Sequence, residues 1–372
     1  YQSGDIINSE TEPRDNEGKK WRVADCESES YVNYAGNLYG ILKGLEEKGW
    51  LENLEGLPYE AEQADTRIIW EWLEQNETGP YLEFVPGQYY CLSTGGDEKV
   101  KQMVNNLQTG SDFDIMLVMG TYAGLVAAEN EPSVPVLVFS TSNALNAGIV
   151  KGEEFSGRSM VWAHMDLHRF QRQITVFNDI FNFHKLGIVY EDSEMGRILS
   201  AIEDIEKAAV QRNFSVIDRH IAEPVSEEDK ERYYREMKEA YRELSQEVDA
   251  MYVTVGSLEA DSLEELFRPF YENKIPISSQ LGESEVKYGA LLSVTMLDFV
   301  NIGRFGADTF IKILRGEDPG KLAQVFESTP RLSINLKVAE KIGYQFPFEL
   351  LLVADKAFTD IGPETNNNKE AQ

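Results

Sequence analysis

The stretch FDIMLVMGTYAGLVAAENEPSVPVLVFSTSNALNAGIV, residues 113–150, decides the fold. FDIMLVMG (113–120) is an apolar run without alternation, as expected of a strand covered on both faces. TYAGLVAAEN (121–130) opens a helix, and VPVLVFS (134–140) is the next strand. Two strands joined by a helical crossover run parallel. The second apolar run stops at Phe139. Ser140, Thr141, Ser142 and Asn143 follow without a charge before Ala, Gly and Ile resume. Serine and asparagine at such a strand-to-helix turn can cap the helix, and exposed backbone N–H groups there attract a carboxylate or another anion. Taken singly, each of these side chains can also be a cap or turn residue and nothing more.

The same alternation extends to both sides. WRVADC (21–26) reads as a buried strand, and YVNYAGNLYGILKGLEEKGW (31–50) has the apolar spacing of a helix. EQADTRIIWEWLEQNETG reads as helical up to Gly79-Pro80, a strand lies within YLEFVPGQYYCLS (81–93), and Asp97 is placed to cap a helix over EKVKQMVNNLQ. A second series follows. Helices are expected over 170–184, 195–213, 227–246 and 258–274, and strands over 185–191, 214–221, 249–256 and 275–280. ALLSV, FVNIGRFGADTFIKILRGE and RLSINL, within 290–345, complete the two sheets. The expected fold class is therefore α/β, with two Rossmann-like lobes whose parallel sheets are flanked by helices. Lobe 1 spans 20–161 plus about 295–324, and lobe 2 spans 162–294 plus about 325–355. A tail precedes residue 20 and another follows residue 355.

In open parallel sheets, ligands bind outside the carboxyl ends of the strands. The residues that follow the strands are thus the candidates. In the first lobe they are Ser28, Ser30 and Tyr31, then Thr121 and Tyr122, then Ser140, Thr141, Ser142 and Asn143. In the second they are Tyr190, Glu191, Asp192 and Ser193, then Ser257, then Gln280 and Glu283. Trp162 and His164 fall at the expected crossing between lobes. Paired carboxylates such as Glu191 and Asp192 are commonly solvated turn residues, and their alternative role is to pair with a ligand's ammonium group.

Bulk properties narrow the function. The chain has 372 residues, enough for two domains, and 42% are apolar. A net charge of −29 argues against nucleic acid or an anionic membrane surface as partner. No apolar run is long enough to span a bilayer. The opening YQSGDIINSETEPRDNEGKK is polar and patternless and reads as a flexible tether or a processed N-terminus. Cys26 and Cys91 are too few for a zinc cage, and sequence leaves open whether they pair. His164 and His168 in HMDLH are four apart and could share a helical face, but Met165 stands where a zinc protease needs glutamate. No nucleophile–base order, phosphate loop or dinucleotide fingerprint is present where it would count. The chain reads as neither enzyme nor metal- or cofactor-binding protein.

The segments 113–150 also resemble the substrate-binding proteins of the "ABC sub bind" family, the tryptophan-binding-protein-like components of ABC importers. Thr121 before the Ala-rich helix with Ala127 and Ala128, Val134 to Ser140, and Asn146 to Val150 match the family's pieces in order. KLGIVYEDSEMGR (185–197), IPISSQLGESEVKYGALLSV (275–294) and the segment 307–344 resemble later pieces. The chain departs from the pattern in the longer 51–90 segment and in GRSMVWAHMDLHRF, whose bulky aromatics and histidines replace a smaller family motif.

The resemblance implies a bilobal periplasmic-binding fold of class I with a hinge of crossing strands. It implies an extracytoplasmic solute-binding protein that captures a small polar solute, an amino acid by preference with an aromatic side chain among the candidates, by hinge closure. The expected partners are the small-molecule ligand and an ABC permease in the membrane, with no nucleic acid. The chain is expected to act as a monomer, periplasmic or tethered at the extracellular membrane face as a lipoprotein. A ligand-sensing module presenting its closed form to a receptor or kinase is the alternative. A solute carboxylate would meet Ser140, Thr141, Ser142 or Thr121, and an ammonium would meet Glu191, Asp192 or Glu283. Tyr31, Tyr122, Tyr190 or Trp162 would stack on its side chain.

Overall fold

The structure, a computed structural model, describes residues 11–61, 63–254, 256–295 and 298–363. The chain divides into two compact units, one of Tyr1–Leu167 with Leu297–Ser328 and one of His168–Met296 with Thr329–Gln372.

In the first unit, β1 (Trp21–Glu27), β2 (Leu82–Cys91), β3 (Ile115–Met119), β4 (Val136–Phe139) and β5 (Val161–Ala163) form one sheet in the order β2-β1-β3-β4-β5. Every pairing in it is parallel. Helices α1 (Val32–Glu47), α2 (Thr66–Gln75), α3 (Leu92–Thr109), α4 (Thr121–Glu129) and α11 (Phe299–Leu314) belong to the same unit. Three of the expected elements shift. The Asp65 side chain accepts from Arg67 N, which starts α2 there, and the helix stops at Gln75, before Gly79-Pro80. Helix α3 begins directly after β2 and breaks at Gly96, whose positive φ of 64° interrupts it just before the expected cap Asp97. After β4 the chain makes turns, not a regular helix.

Residues 161–163, expected at the crossing between lobes, are the edge strand β5 of the first sheet. Residues 11–19, expected as tail, hold contacts to the fold. The Trp50 indole donates to Thr11 O at 2.9 Å and the Arg315 guanidinium to Glu12 O at 2.9 Å. Residues 1–10 lie outside the described residues.

One irregularity positions the later argument. Strand β1 pairs Val23 with Phe84 but Asp25 with Tyr89, so β2 carries extra residues across from one step of β1. The extra length is supplied at Pro86-Gly87, where Gly87 has φ 76° and proline lacks a ladder donor. The bulge re-aims Tyr89 and Cys91 onto the face of β1 that carries Asp25 and Glu27.

The second unit holds α5 (Arg169–Phe181), β6 (Lys185–Glu191), α6 (Glu194–Leu199), α7 (Ile202–Arg212), β7 (Ser215–Ile221), α8 (Lys230–Leu244), β8 (Ala250–Val253), α9 (Leu263–Glu272), β9 (Ile277–Ser279), α10 (Glu283–Lys287) and β10 (Leu292–Thr295). It continues with β11 (Arg331–Asn335), α12 (Leu336–Ile342), α13 (Phe348–Val353) and β12 (Lys356–Phe358). The sheet order is β12-β11-β10-β9-β8-β6-β7. The sheet is mostly parallel, but β11 runs antiparallel to β10. Apolar content gives no strand direction, so the sequence could not show this. The helix expected over 195–213 splits in two because Ala201 takes a left-handed conformation. Lys356–Phe358, expected as tail, forms the edge strand β12 on β11.

Each unit has its own apolar core, one around Ile41, Trp70, Phe139 and Phe310, the other around Phe177, Tyr252, Phe267 and Leu292. Cys26 and Cys91 are both buried and free. In β1 and β2 they sit one register step apart, Cys26 opposite Tyr90 and Cys91 opposite Glu27, so their side chains project to opposite faces of the sheet.

Candidate functional site

At the carboxyl end of the first sheet, β1, β3 and β4 deliver Ser28, Thr121 and Ser140 to one edge. Ser28 N donates to Met119 O at 3.0 Å, and Ser28 Oγ accepts from Ala123 N at 2.9 Å. The hydroxyl thus takes one of the N–H groups in the first turn of α4 that has no intrahelical partner. Gly120 is required here, with φ 98°. A Cβ on it would lie 2.2 Å from the Tyr34 hydroxyl and 2.5 Å from Ser28 Oγ. Thr121 is buried and its Oγ1 accepts from Ser142 N at 3.0 Å, which ties the β3 and β4 turns together. Replacing Thr121 by valine removes that acceptor and is expected to lower the unit's stability by about 1 kcal/mol, read by urea unfolding.

Ser140 ends β4 in a left-handed conformation (φ 56°) and its hydroxyl accepts from Asn37 Nδ2 at 2.7 Å. Asn143 Oδ1 accepts from Asn146 N at 2.9 Å, a side-chain-closed turn. The strand therefore empties into small polar side chains because they close the turn with their own hydrogen bonds. Thr141 is buried, Ser142 and Asn143 are half-buried, and Ser30 is exposed. Tyr31 packs edge-on against Tyr34 at 5.2 Å. Tyr122, at the start of α4, is 53% exposed and is an aromatic ring offered to solvent at this edge.

Two expected members of the set are elsewhere. Trp162 is fully buried in the core of the first unit, its indole donating to Ala323 O at 2.9 Å and its ring packed on Phe139 and Phe305. It cannot stack on a solute in that position. His164 is buried beside it, with Nε2 3.0 Å from Phe326 O. His164 follows β5 and His168 is the N-cap of α5, so the two do not share a helical face. Among the described residues no group of three or more His, Cys, Asp or Glu is placed to hold a metal ion.

At the carboxyl end of the second sheet the central group is Glu191, the last residue of β6 and 8% exposed. Its Oε1 accepts from the Tyr233 hydroxyl at 3.0 Å and from Ser257 Oγ at 3.2 Å, while Ser257 N donates to the Tyr233 oxygen at 3.0 Å. Burial raises the Glu191 carboxyl above its ordinary value, partly offset by these donors. Sequence reading did not find Tyr233, which comes from the first turn of the charged helix α8.

Tyr190, expected to stack, is buried. His220 lies 4.4 Å from its ring, and its hydroxyl takes a hydrogen bond from Arg197 at 3.0 Å. Asp192 is exposed, with His220 Nδ1 3.7 Å away. Ser193 caps α6 by accepting from Gly196 N at 2.9 Å. Gln280 is buried and donates to Leu199 O at 2.9 Å. Glu283 is exposed and pairs with Lys356 at 3.6 Å. Of the second-unit candidates, Glu191 and Ser257 are brought together, and Ser193 and Gln280 are spent on local structure.

Two parallel-dominated α/β sheets flanked by helices, each with polar residues at its carboxyl edge, make up a periplasmic-binding fold of type I. The model of ABC transporter substrate binding proteins matches residues 87–358, and the chain belongs to that family. It is a binding protein and not an enzyme, and its partners are a small molecule and the transporter's permease, outside the cytoplasm. Among solved structures, it is similar to a conserved domain protein from Vibrio cholerae, with 21% identity over 91% of this chain and 100% of that one and a TM-score of 0.67. An ABC domain from Streptococcus pneumonia in complex with L-Trp matches at 20% identity, with the same coverage and a TM-score of 0.65. A ligand-free, open substrate binding protein with adhesive properties from Clostridium difficile matches at 17% identity, again with that coverage and a TM-score of 0.65. At these identities the likeness is one of fold. Comparison with curated proteins finds no relative. Among the described residues no helix is long and apolar enough to cross a membrane.

Proposed function

We propose that this protein captures an amino acid for an ABC importer, holding it between the strand-end residues of its two units and closing about a hinge. The single observation that carries the reading is Glu191, a buried acceptor with one oxygen fixed by Tyr233 and Ser257. A carboxylate held that way suits an ammonium group. The opposite charge of a zwitterion suits the first unit, where Ser28, Thr121 and Ser142 surround the start of α4 and helix N-termini favour anions. Tyr122 supplies an exposed ring for an apolar or aromatic side chain. The L-Trp complex of the streptococcal structure supports this ligand class. Closure follows from the solute's greater affinity for the closed state. The protein acts as a monomer tethered outside the membrane and binds no nucleic acid, in keeping with its net charge of −29.

Calorimetric titration with a panel of amino acids, sugars and nucleosides tests the reading. Binding of an amino acid, with aromatic ones tightest, is the expected result. Binding confined to sugars or nucleosides would overturn it.

A further inference from the structure

The face of β1 that looks into the core of the first unit carries Val23, Asp25 and Glu27, where the neighbouring strand β3 carries Ile115, Leu117 and Met119. Two carboxyl groups therefore occupy the places of apolar side chains. Both are fully buried. Neither oxygen of Asp25 has a hydrogen-bond partner, nor does Oε2 of Glu27. Glu27 Oε1 accepts from the Tyr89 hydroxyl, brought there by the β2 bulge, and the Cys91 thiol and Thr66 hydroxyl lie beside the carboxyl.

The groups that face the pair carry no compensating charge. From β2 come Tyr89 and Cys91, from β3 Leu117 and Met119, and from α1 Tyr34. From the start of α2 come Asp65 and Thr66. From β1 itself comes Cys26 on the other face, and Glu29 follows beyond the strand. All are neutral or acidic. An unpaired buried carboxylate is costly enough that such a group takes up a proton instead. Burial pushes Asp25 well above the carboxylate range and Glu27 up to about 7.

We propose that Asp25 and Glu27 form a proton-holding lock on the carboxyl end of β1, which keeps Ser28 seated against α4 only while the pair carries a proton. Glu27 adjoins Ser28, whose N–H and hydroxyl join β1 to Met119 O and Ala123 N. Charging the pair forces it apart or toward water, and the first thing displaced is that strand end.

The sign follows from linkage. The folded carboxyls hold protons that the unfolded chain has released, so stability is full at low pH and falls as pH rises. For Glu27 the window runs from about 4.5 to about 7. Each retained proton lowers the folding constant by about tenfold per pH unit within its window.

Denaturant unfolding across this range is compared for the wild type, Asp25→Asn, Glu27→Gln and Asp25→Leu. The leucine variant matches its β3 neighbour Leu117 and serves if the buried amides fail to fold. The expected result is a flatter pH profile in each variant, with stability above the wild type's on the alkaline side. Hydrogen exchange is expected to show the Ala123 amide losing protection in the wild type as pH rises, and keeping it in Glu27→Gln. Profiles parallel to the wild type's would overturn the proposal. So would sodium, potassium or calcium restoring alkaline stability to the wild type but not to Asp25→Asn, since a metal ion would then be the neutralising partner.

Discussion

Gly303→Ala lowers the unfolding free energy of the first unit by about 3 kcal/mol or more. Helix propensity alone predicts the opposite sign, because alanine in a helix interior is favoured over glycine by about 1 kcal/mol. Sterics win because α1 and α11 touch backbone to backbone. Gly36, Gly40 and Gly44 recur every fourth residue on α1 and face Phe299, Gly303 and Ala307 of α11. A Cβ on Gly303 would lie 2.0 Å from the carbonyl carbon of Gly40, and one on Gly40 would lie 2.0 Å from Phe299 O. No rotamer relieves a clash with backbone, so the helices must separate. Separation would also strain the paired Arg304–Glu47 bonds of 2.8 Å each. Urea unfolding of Gly303→Ala and Gly40→Ala measures the effect, and a gain in stability from either would show that the crossing is loose.

That contact illustrates what the sequence made legible and what it hid. The glycines of YVNYAGNLYGILKGLEEKGW can be read as a helix with a small-residue face, but its partner lies more than 250 positions away, in a segment that reads only as an apolar helix. The βα alternation was readable because buried parallel strands such as Ile115–Met119 are continuous apolar runs. Strand direction was not, since nothing in the residues of β11 reports that it pairs antiparallel with β10. The expected boundary after residue 161 cut through β5 and put Trp162 and Ala163 with the second lobe, because a three-residue strand leaves no period to count.

At the candidate site, the strand-end rule named Ser28, Thr121, Ser140 and Glu191 but could not tell an offered side chain from a spent one. Tyr190 and Trp162 are covered and Tyr122 is open, and only packing separates them. Asp25 and Glu27 left a trace, two acids at alternate positions of an otherwise buried strand. That Tyr89 and Cys91 are the β2 side chains facing them depends on the bulge at Pro86-Gly87, which no periodicity reports.

Glu191→Gln is expected to weaken amino-acid binding by about 100-fold, or about 2.7 kcal/mol, in calorimetric titration, while Asp192→Asn changes it little. The two carboxylates are adjacent in sequence but differ in solvation. Asp192 is exposed, where an ion pair contributes at most about 1 kcal/mol. Glu191 is nearly covered, so its attraction for an ammonium group is weakly screened, and Tyr233 and Ser257 fix its orientation before the solute arrives. Glutamine keeps the shape and the acceptor oxygen but loses the charge, so an effect confined to solutes with an ammonium group separates electrostatics from packing. The raised Glu191 carboxyl adds a pH signature. As pH falls through its elevated value the acid form cannot pair with ammonium, so wild-type affinity drops on the acidic side while the already weak Gln variant stays flat. Equal affinity of wild type and Glu191→Gln for every amino acid bound would remove Glu191 from the site.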